Sequence, residues 1–307
     1  MALIIWSMNA GGSERVMALL ANEWAVRSAR VSLLALTEEH KSHFPLHSSI
    51  IFACLGLAPG ASQKPGKITT FAERLAAPRC SLQRTQPDVI VSFTARVNTL
   101  TVLSSFRMPV PVIISERVDP SMWLDTQPWQ FLRSCTNRLA NAVVSPTESV
   151  ASVLRKMAGR RSLTIPNPVP EREPFERSCT SRRLVGCGHP IEGRGFACLI
   201  ESFYLLHQRY PDRSLTIAGE AEMLMKLEQL LIERGLSDRV HLPGAYNNPS
   251  EVLADAVIFV LSSRYEGFPH CANRSYGSRR SRSTFQLQVG TVGNRPRRCE
   301  WFPCSRW

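Results

Sequence analysis

Short runs of aliphatic and β-branched residues recur along this chain, each separated from the next by a stretch of helical periodicity. That alternation constrains the fold more than any other feature of the sequence. The runs lie at 2–7, 31–36, 88–93, 110–115 and 142–145, and again at 184–188, 214–218, 239–242 and 256–262. They are almost continuously apolar rather than alternating, which suits strands covered on both faces. Strands joined across intervening helices are parallel, so the pattern predicts βαβ units. Two of the helices are legible in some detail. Ser13 is expected to cap a helix that brings Val16, Leu19, Leu20 and Trp24 onto one face. Leu224, Leu227, Leu230 and Leu231 do the same over 221–234, ahead of a stop at Gly235.

The two series of strands predict two sheets. Residues 1–165 form the first Rossmann-like domain and residues 184–269 the second. The segment 166–183, rich in proline and basic residues and without apolar periodicity, reads as the linker between them. The predicted fold class is therefore α/β, two Rossmann-like domains facing a cleft.

At 307 residues the chain is long enough for two such domains, and 44% hydrophobic with 20% charged residues is a globular balance. No apolar run approaches the roughly 18–20 residues that span a bilayer. Residues 1–10 lack the basic start of a secretory signal and read as a buried strand, so a cytoplasmic location is expected. Nine cysteines, scattered without paired or Cys/His spacing, predict neither a disulfide framework nor a metal site. The net charge of +12 is unevenly spread. Residues 270–307 hold eight Arg, no Lys and a single Glu, which leaves an ordinary surplus of +5 on the remainder. That surplus suits a diphosphate ligand or a peripheral contact with an anionic membrane face, and it does not make a nucleic-acid footprint.

Four turns carry candidate chemistry. Gly11 and Gly12 lie between the first strand and the first helix, where close backbone approach and a helix N-terminus favour an anion or a set of sugar hydroxyls. In the second domain, Gly188 and His189 end the first strand and Arg194 precedes the next helix. This is a place to compensate the charge of a diphosphate leaving group without a metal. Glu266, Gly267 and Phe268 follow a hydrophobic strand, at the end where open α/β sheets bind ligands. Glu266 is the carboxylate expected to hold sugar hydroxyls, and Gly267 lets the main chain approach. Glu116 and Arg117 end a first-domain strand and are assigned to the acceptor side.

Several segments resemble family 4 retaining glycosyltransferases, in that family's order. They are GGSERVMALLANEWA, PDVIVSF, VPVIISER, LANAVVSPTESVA, IPNPV, SLTIAGE and LSDRVHLPGAYNNPSEVLADAVIFVLSSRYEGFP. The resemblance covers residues 1–269. It implies a GT-B fold, a metal-independent transfer with retention, donor binding in the second domain and acceptor binding in the first. It implies further that Glu266 is the first glutamate of the E-x7-E motif, with Gly267 and Phe268 as backbone contacts to the donor sugar. His189 stands where the family commonly has Arg, and Arg194 where it commonly has Lys. The motif's second glutamate falls at position 274, which is Arg274 here.

From residue 270 onward the sequence changes character: periodicity ends and Lys gives way to Arg and Ser. Codons exist for these residues that, read one base later, give ALIEAMAAGVA over 271–281, with a glutamate at 274. Over 290–306 they give GPSEIVHEGVNGFLVPV. These strings are the expected family continuations. The tail 270–307 is therefore read as out of frame and disordered, and the second domain as incomplete.

The function expected is transfer of a sugar from a nucleotide-sugar, UDP-linked, to a glycan or polyprenyl-linked acceptor. The setting is cell-surface polysaccharide or lipopolysaccharide assembly at the inner face of a membrane, with no metal and no nucleic acid. The alternatives are an inactive, truncated relic of such an enzyme and a sugar-nucleotide 2-epimerase of the same fold.

Overall fold

The computed structural model describes residues 1–38, 41–58, 70–117, 127–158, 162–168, 181–188, 195–219, 224–244, 252, 256–263 and 284–286. The chain divides into two compact units, Met1–Pro168 and Val169–Trp307.

The first unit is built on a parallel sheet of seven strands: β1 (Ala2–Ile5), β2 (Ser32–Thr37), β3 (Ile51–Ala58), β4 (Ile90–Phe93), β5 (Val112–Ser115), β6 (Ala142–Ser145) and β7 (Ser162–Thr164). Their order in the sheet is β3-β2-β1-β4-β5-β6-β7. Helices α1 (Gly12–Val26), α2 (Phe71–Thr85), α3 (Ala95–Ser104), α4 (Gln127–Leu139) and α5 (Glu148–Ala158) make the crossovers.

Successive strand residues point to opposite faces, and both faces are apolar. Ala2, Ile4, Leu34, Leu36 and Ile90 join Leu82, Val97, Leu100, Val150 and Leu154 in one core. Leu3, Ile5, Leu33, Val91 and Phe93 join Val16, Met17, Ala18 and Ala21 of α1 in the other. This two-sided burial is the reason the strand sequences read as continuous apolar runs.

The second unit carries a parallel sheet ordered β10-β9-β8-β11-β12. Its strands are β8 (Arg183–Cys187), β9 (Ser214–Ala218), β10 (Val240–Gly244), β11 (Ala256–Leu261) and β12 (Thr284–Gln286), with helices α6 (Phe196–Arg209) and α7 (Leu224–Glu233). Phe196, Leu199, Ile200 and Phe203 of α6 pack with Leu227 and Leu231 of α7 over Leu184, Leu215 and Ile217. Gly235, at φ +63°, ends α7. The Leu236 N–H then donates to the Leu231 carbonyl at 2.9 Å, and Leu236 itself is buried, the closing pattern of a glycine-stopped helix.

Several details differ from the sequence reading. Helix α1 starts at Gly12 with Gly11 at its N-cap, so Ser13 lies inside the helix, and no side chain caps it. The buried face centres on Met17 and Ala21, with Leu20 and Trp24 at its border. Strands β3 and β7, at the two edges of the first sheet, are additions. So is β12, whose Thr284 and Phe285 pair with Phe259 and Val260. The expectation of a wholly irregular tail gives way at these three residues. An unpaired edge of β11 is a template for any short segment of suitable propensity, and Thr-Phe-Gln is one. The linker residues 169–180 lie outside the described residues. Among the described residues no helix is long and apolar enough to cross a membrane, and no cluster of potential metal ligands occurs.

Candidate functional site

In each sheet the strand order reverses at one place, and ligands of open α/β sheets bind beyond the carboxyl ends of the strands there. In the first unit this place lies between β1 and β4, which are neighbours in the sheet. In the second it lies between β8 and β11.

Beyond β1 come Gly11 and Gly12. Gly11 accepts from Arg15 N–H at 3.0 Å, in extended geometry, and so begins α1. A Cβ at Gly11 would stand 2.1 Å from Oε2 of Glu14, so the bare glycine leaves room for the Glu14 carboxylate to fold back over the start of the helix. Ser7 Oγ lies 3.5 Å from the other Glu14 oxygen. The helix terminus expected to receive an anion thus already has one, supplied by its own first turn.

Beyond β4 comes Thr94, at φ +75° and ψ 142°, a conformation that side-chain-bearing residues rarely adopt. Two backbone contacts hold it. Its N–H donates to the Ser115 carbonyl at 3.1 Å, and its carbonyl accepts from Asn98 N–H at 2.8 Å. The buried Asn98 side chain donates to the Ser115 carbonyl at 3.0 Å and accepts from Ser92 Oγ at 2.8 Å. The ends of β4 and β5 are therefore tied together through one asparagine.

Beyond β5 come Glu116 and Arg117, and the structure gives them different roles. Glu116 is buried to 1% exposure and accepts from Arg133 of α4 at both oxygens, 3.0 Å from Nε and 2.7 Å from Nη2. A carboxylate so enclosed is shielded from a ligand, and its bidentate bond to Arg133 fixes α4 to the sheet. Arg117 lies flat over the Phe93 ring at 3.7 Å. Its Nη1 donates to Oδ1 of Asn167, just past β7. Its Nε is buried without a hydrogen-bond partner. Desolvation by burial lowers its pKa to about 9. Arg96, in the first turn of α3, lies 5.9 Å from the ring of Trp129.

In the second unit Gly188 follows β8 and donates to the Ala218 carbonyl at 3.0 Å, which continues the ladder to the crevice. Gly195 caps α6 at φ +66°. A Cβ there would stand 2.3 Å from the Ser262 carbonyl oxygen, so the start of α6 rests on the end of β11. Within β8, a Cβ on Gly186 would press on Leu199 of α6 at 2.8 Å, so α6 lies close against β8 as well. His189, Arg194, Glu266, Gly267, Phe268 and Arg274 lie outside the described residues.

Of the acceptor-side and cleft residues read from the sequence, the structure places Gly11, Gly12 and Arg117 at the carboxyl end of the first sheet. Thr94, Asn98, Arg133 and Asn167 were missed. Each acts through a partner distant in sequence, and only the T-A-R turn after an apolar strand marks the place.

Parallel sheets whose order reverses at a glycine-seated helix define a doubly wound, Rossmann-like α/β architecture. Residues 10–173 match the model of Glycosyltransferase Family 4, and residues 188–272 match that of Glycosyl transferases group 1. The first match alone spans more than half of the chain, which belongs to the family 4 glycosyltransferases.

An uncharacterized glycosyltransferase of Methanocaldococcus jannaschii is 35% identical over 28% of this chain and 21% of its own length. Another, YqgM of Bacillus subtilis, is 30% identical over 47% of this chain and 42% of its own length, so the chain spans less than half of either relative. An undecaprenol-diphosphate-linked saccharide alpha-1,4-N-acetyl-D-galactosaminyltransferase of Campylobacter jejuni is 24% identical over 87% of this chain and 74% of its own length. Among solved structures, S. aureus TarM with fondaparinux, alpha-GlcNAc-glycerol and UDP superposes with a TM-score of 0.74. It covers 93% of this chain and 85% of TarM at 11% identity. Anabaena HepE with UDP-glucose gives 0.71 over 93% of this chain and 79% of HepE at 15% identity. These likenesses speak for the fold, which is GT-B.

Proposed function

We propose that this chain derives from an enzyme that transfers a sugar from a UDP-linked donor to a glycan or polyprenyl-linked acceptor, with retention, in cell-surface polysaccharide or lipopolysaccharide assembly. The observation that carries the reading is the seat of α6 on the Ser262 carbonyl, in a chain of this family. A helix N-terminus held at the carboxyl ends of β8 and β11 directs amide donors toward a diphosphate. What relatives are known to bind supports the substrate class. TarM and HepE were solved with UDP or UDP-glucose, and the Campylobacter enzyme is named for an undecaprenol-diphosphate-linked acceptor. A relative from Rhizobium meliloti is named for lipopolysaccharide core biosynthesis.

In this reading the donor diphosphate lies near Gly188, His189 and Arg194, and Glu266 with the amides of Gly267 and Phe268 holds the sugar. The acceptor hydroxyl oxygen forms the new bond to the anomeric carbon as the bond to the diphosphate breaks. The departing diphosphate oxygen takes the hydroxyl proton on the same face. Cationic groups and amides compensate the developing charge, so no metal is required, and activity is expected to survive chelation. Work at the inner face of a membrane, through a peripheral contact, follows from a lipid-linked acceptor.

The test is transfer from UDP-sugars into lipid-linked acceptors, with the donor-only reaction run alongside. Glu266→Ala should lower turnover by roughly a hundredfold or more, the scale for losing one transition-state contact; near-normal turnover would remove Glu266 from its role. Isomerisation of the donor without acceptor would favour the epimerase instead.

A second reading rests on Arg274, a cation where the motif needs a carboxylate for the ribose hydroxyls. The reading frame has slipped by one base near Pro269, and the chain as it stands is inert. Resequencing the DNA across the codons for Tyr265 to Ser281 decides it. Loss of one base with a glutamate codon at 274 restores the enzyme, and an unchanged sequence marks a relic.

A further inference from the structure

Among the described residues, no carboxylate pairs with Arg117. Its neighbour in the chain, Glu116, is engaged by Arg133 through both oxygens. Among the described residues Arg117 donates to a neutral amide, Asn167. Its guanidinium is stacked on Phe93 at 3.7 Å, and burial removes much of its hydration. A stacked, fork-shaped cation held in this way is pre-organised for bidentate contact with an oxyanion. The buried Arg133, by contrast, is closed by a carboxylate.

A second observation falls at the same place. Phe93, which carries the stack, is followed directly by Thr94 in its strained conformation. Asn98 and Ser115 hold that strain, at the point where the sheet order reverses. Strain that the surroundings over-determine clusters at active sites and ligand clamps.

We propose that Arg117, at the carboxyl ends of β4 and β5, is the receptor for a phosphate or diphosphate ester carried by the acceptor. The proposal rests on the glycosyltransferase reading and adds to it the chemical class of the acceptor: an anionic, phosphorylated molecule rather than a neutral glycan. Arg117 positions this group through two N–H···O contacts, with the Phe93 ring fixing the plane of the fork. Glu116 contributes indirectly, because its pairing with Arg133 keeps it from neutralising Arg117.

The experiment is calorimetric titration of the full chain, first with UDP and then with inorganic pyrophosphate in saturating UDP. A second, one-to-one binding event is expected. Losing a charged hydrogen-bond pair should weaken it by roughly tenfold or more in Arg117→Gln and by less in Arg117→Lys, with UDP binding unchanged in both. No second event, or one indifferent to Arg117→Gln, would overturn the proposal. A parallel loss of UDP binding in Arg117→Gln would assign Arg117 to the donor and also overturn it. Should Arg117→Gln misfold, the wild-type chain still decides the matter. Pyrophosphate must protect Arg117 from phenylglyoxal in saturating UDP, read by mass spectrometry of its peptide, and absence of protection rejects the site. Failure of wild-type chain to bind UDP counts against the transferase reading alone, because the pyrophosphate arm is then read without UDP.

Discussion

The guanidinium of Arg133 closes on both oxygens of Glu116 in the interior of the first unit, with side chains only 5% and 1% exposed. Two ions so placed are costly to separate, because the survivor stays buried without compensation. Arg133→Met is therefore expected to destabilise the first unit by roughly 3–5 kcal/mol. The double variant Glu116→Leu with Arg133→Met, which removes both charges, should recover most of that loss. Urea unfolding of the three proteins measures it, and a double variant no better than the single would show that the pair is held for another reason.

Gly195 carries the clearest steric prediction. An alanine would have to adopt φ +66° with its Cβ 2.3 Å from the Ser262 carbonyl oxygen, and backbone cannot yield as a flexible side chain does. Gly195→Ala should lower the stability of the second unit by about 1–3 kcal/mol, within the range for strain at such a position. It should also weaken UDP binding, because the start of α6 must lift from β11. Thermal melting and UDP titration of the variant check both halves. Retained UDP affinity would detach the nucleotide site from this seat.

How far these features were legible in the sequence depends on how local they are. Strands β1, β2, β4, β8, β9 and β11 announce themselves because both faces of each sheet are covered, so nearly every residue in them is apolar. The run that becomes β3 is interrupted by Gly56 and lies at a sheet edge, and β7 has only three residues. Neither carries the pattern of a central strand. The glycine turns were legible because a βα turn needs small residues whatever the ligand. Glu116 read as a cleft residue because a carboxylate after a strand is, locally, a candidate ligand-binding group. Its partner Arg133 belongs to a helix that sequence periodicity does not bring to it. The stacking of Arg117 on Phe93 is a contact between neighbouring parallel strands, and it depends on register, which hydrophobic pattern leaves open.

Thr94 should behave as a strained residue. Thr94→Gly relieves the positive φ but frees the unfolded chain, and the two effects leave a net gain of about 1 kcal/mol. Denaturant titration should show a higher midpoint with an unchanged slope. A lower midpoint would mean that the threonine side chain contributes more than its backbone conformation costs.

Arg117 sets a dependence on pH. Burial lowers its pKa to about 9 in the native state, below the ordinary arginine value it regains on unfolding. Between those two values the unfolded chain binds the extra proton, so stability from this group rises with pH there. Below about 9 the charge is present in both states, and its desolvation penalty is constant. Arg117→Met should therefore be more stable than the wild type at pH 7, with the gap narrowing as pH climbs through 9. Unfolding free energies across pH 7 to 10.5 test the sign, and a gap that widens with pH would refute it.

Strand β1 pairs on one side with β2, Ala2 beside Ser32, and on the other with β4, Ala2 beside Ile90. During synthesis the first neighbour leaves the ribosome long before the second. Until Ile90–Phe93 emerges, Leu3 and Ile5 belong to a half-built sheet whose inner edge lies open. Such long-range parallel pairing is slow, and it leaves apolar edges exposed while it waits. The middle of the sheet, where the candidate site lies, is thus closed only after β1, β2 and β3 have all been made, and β5, β6 and β7 then extend it. Slower translation or lower growth temperature should accordingly raise the soluble yield of this protein.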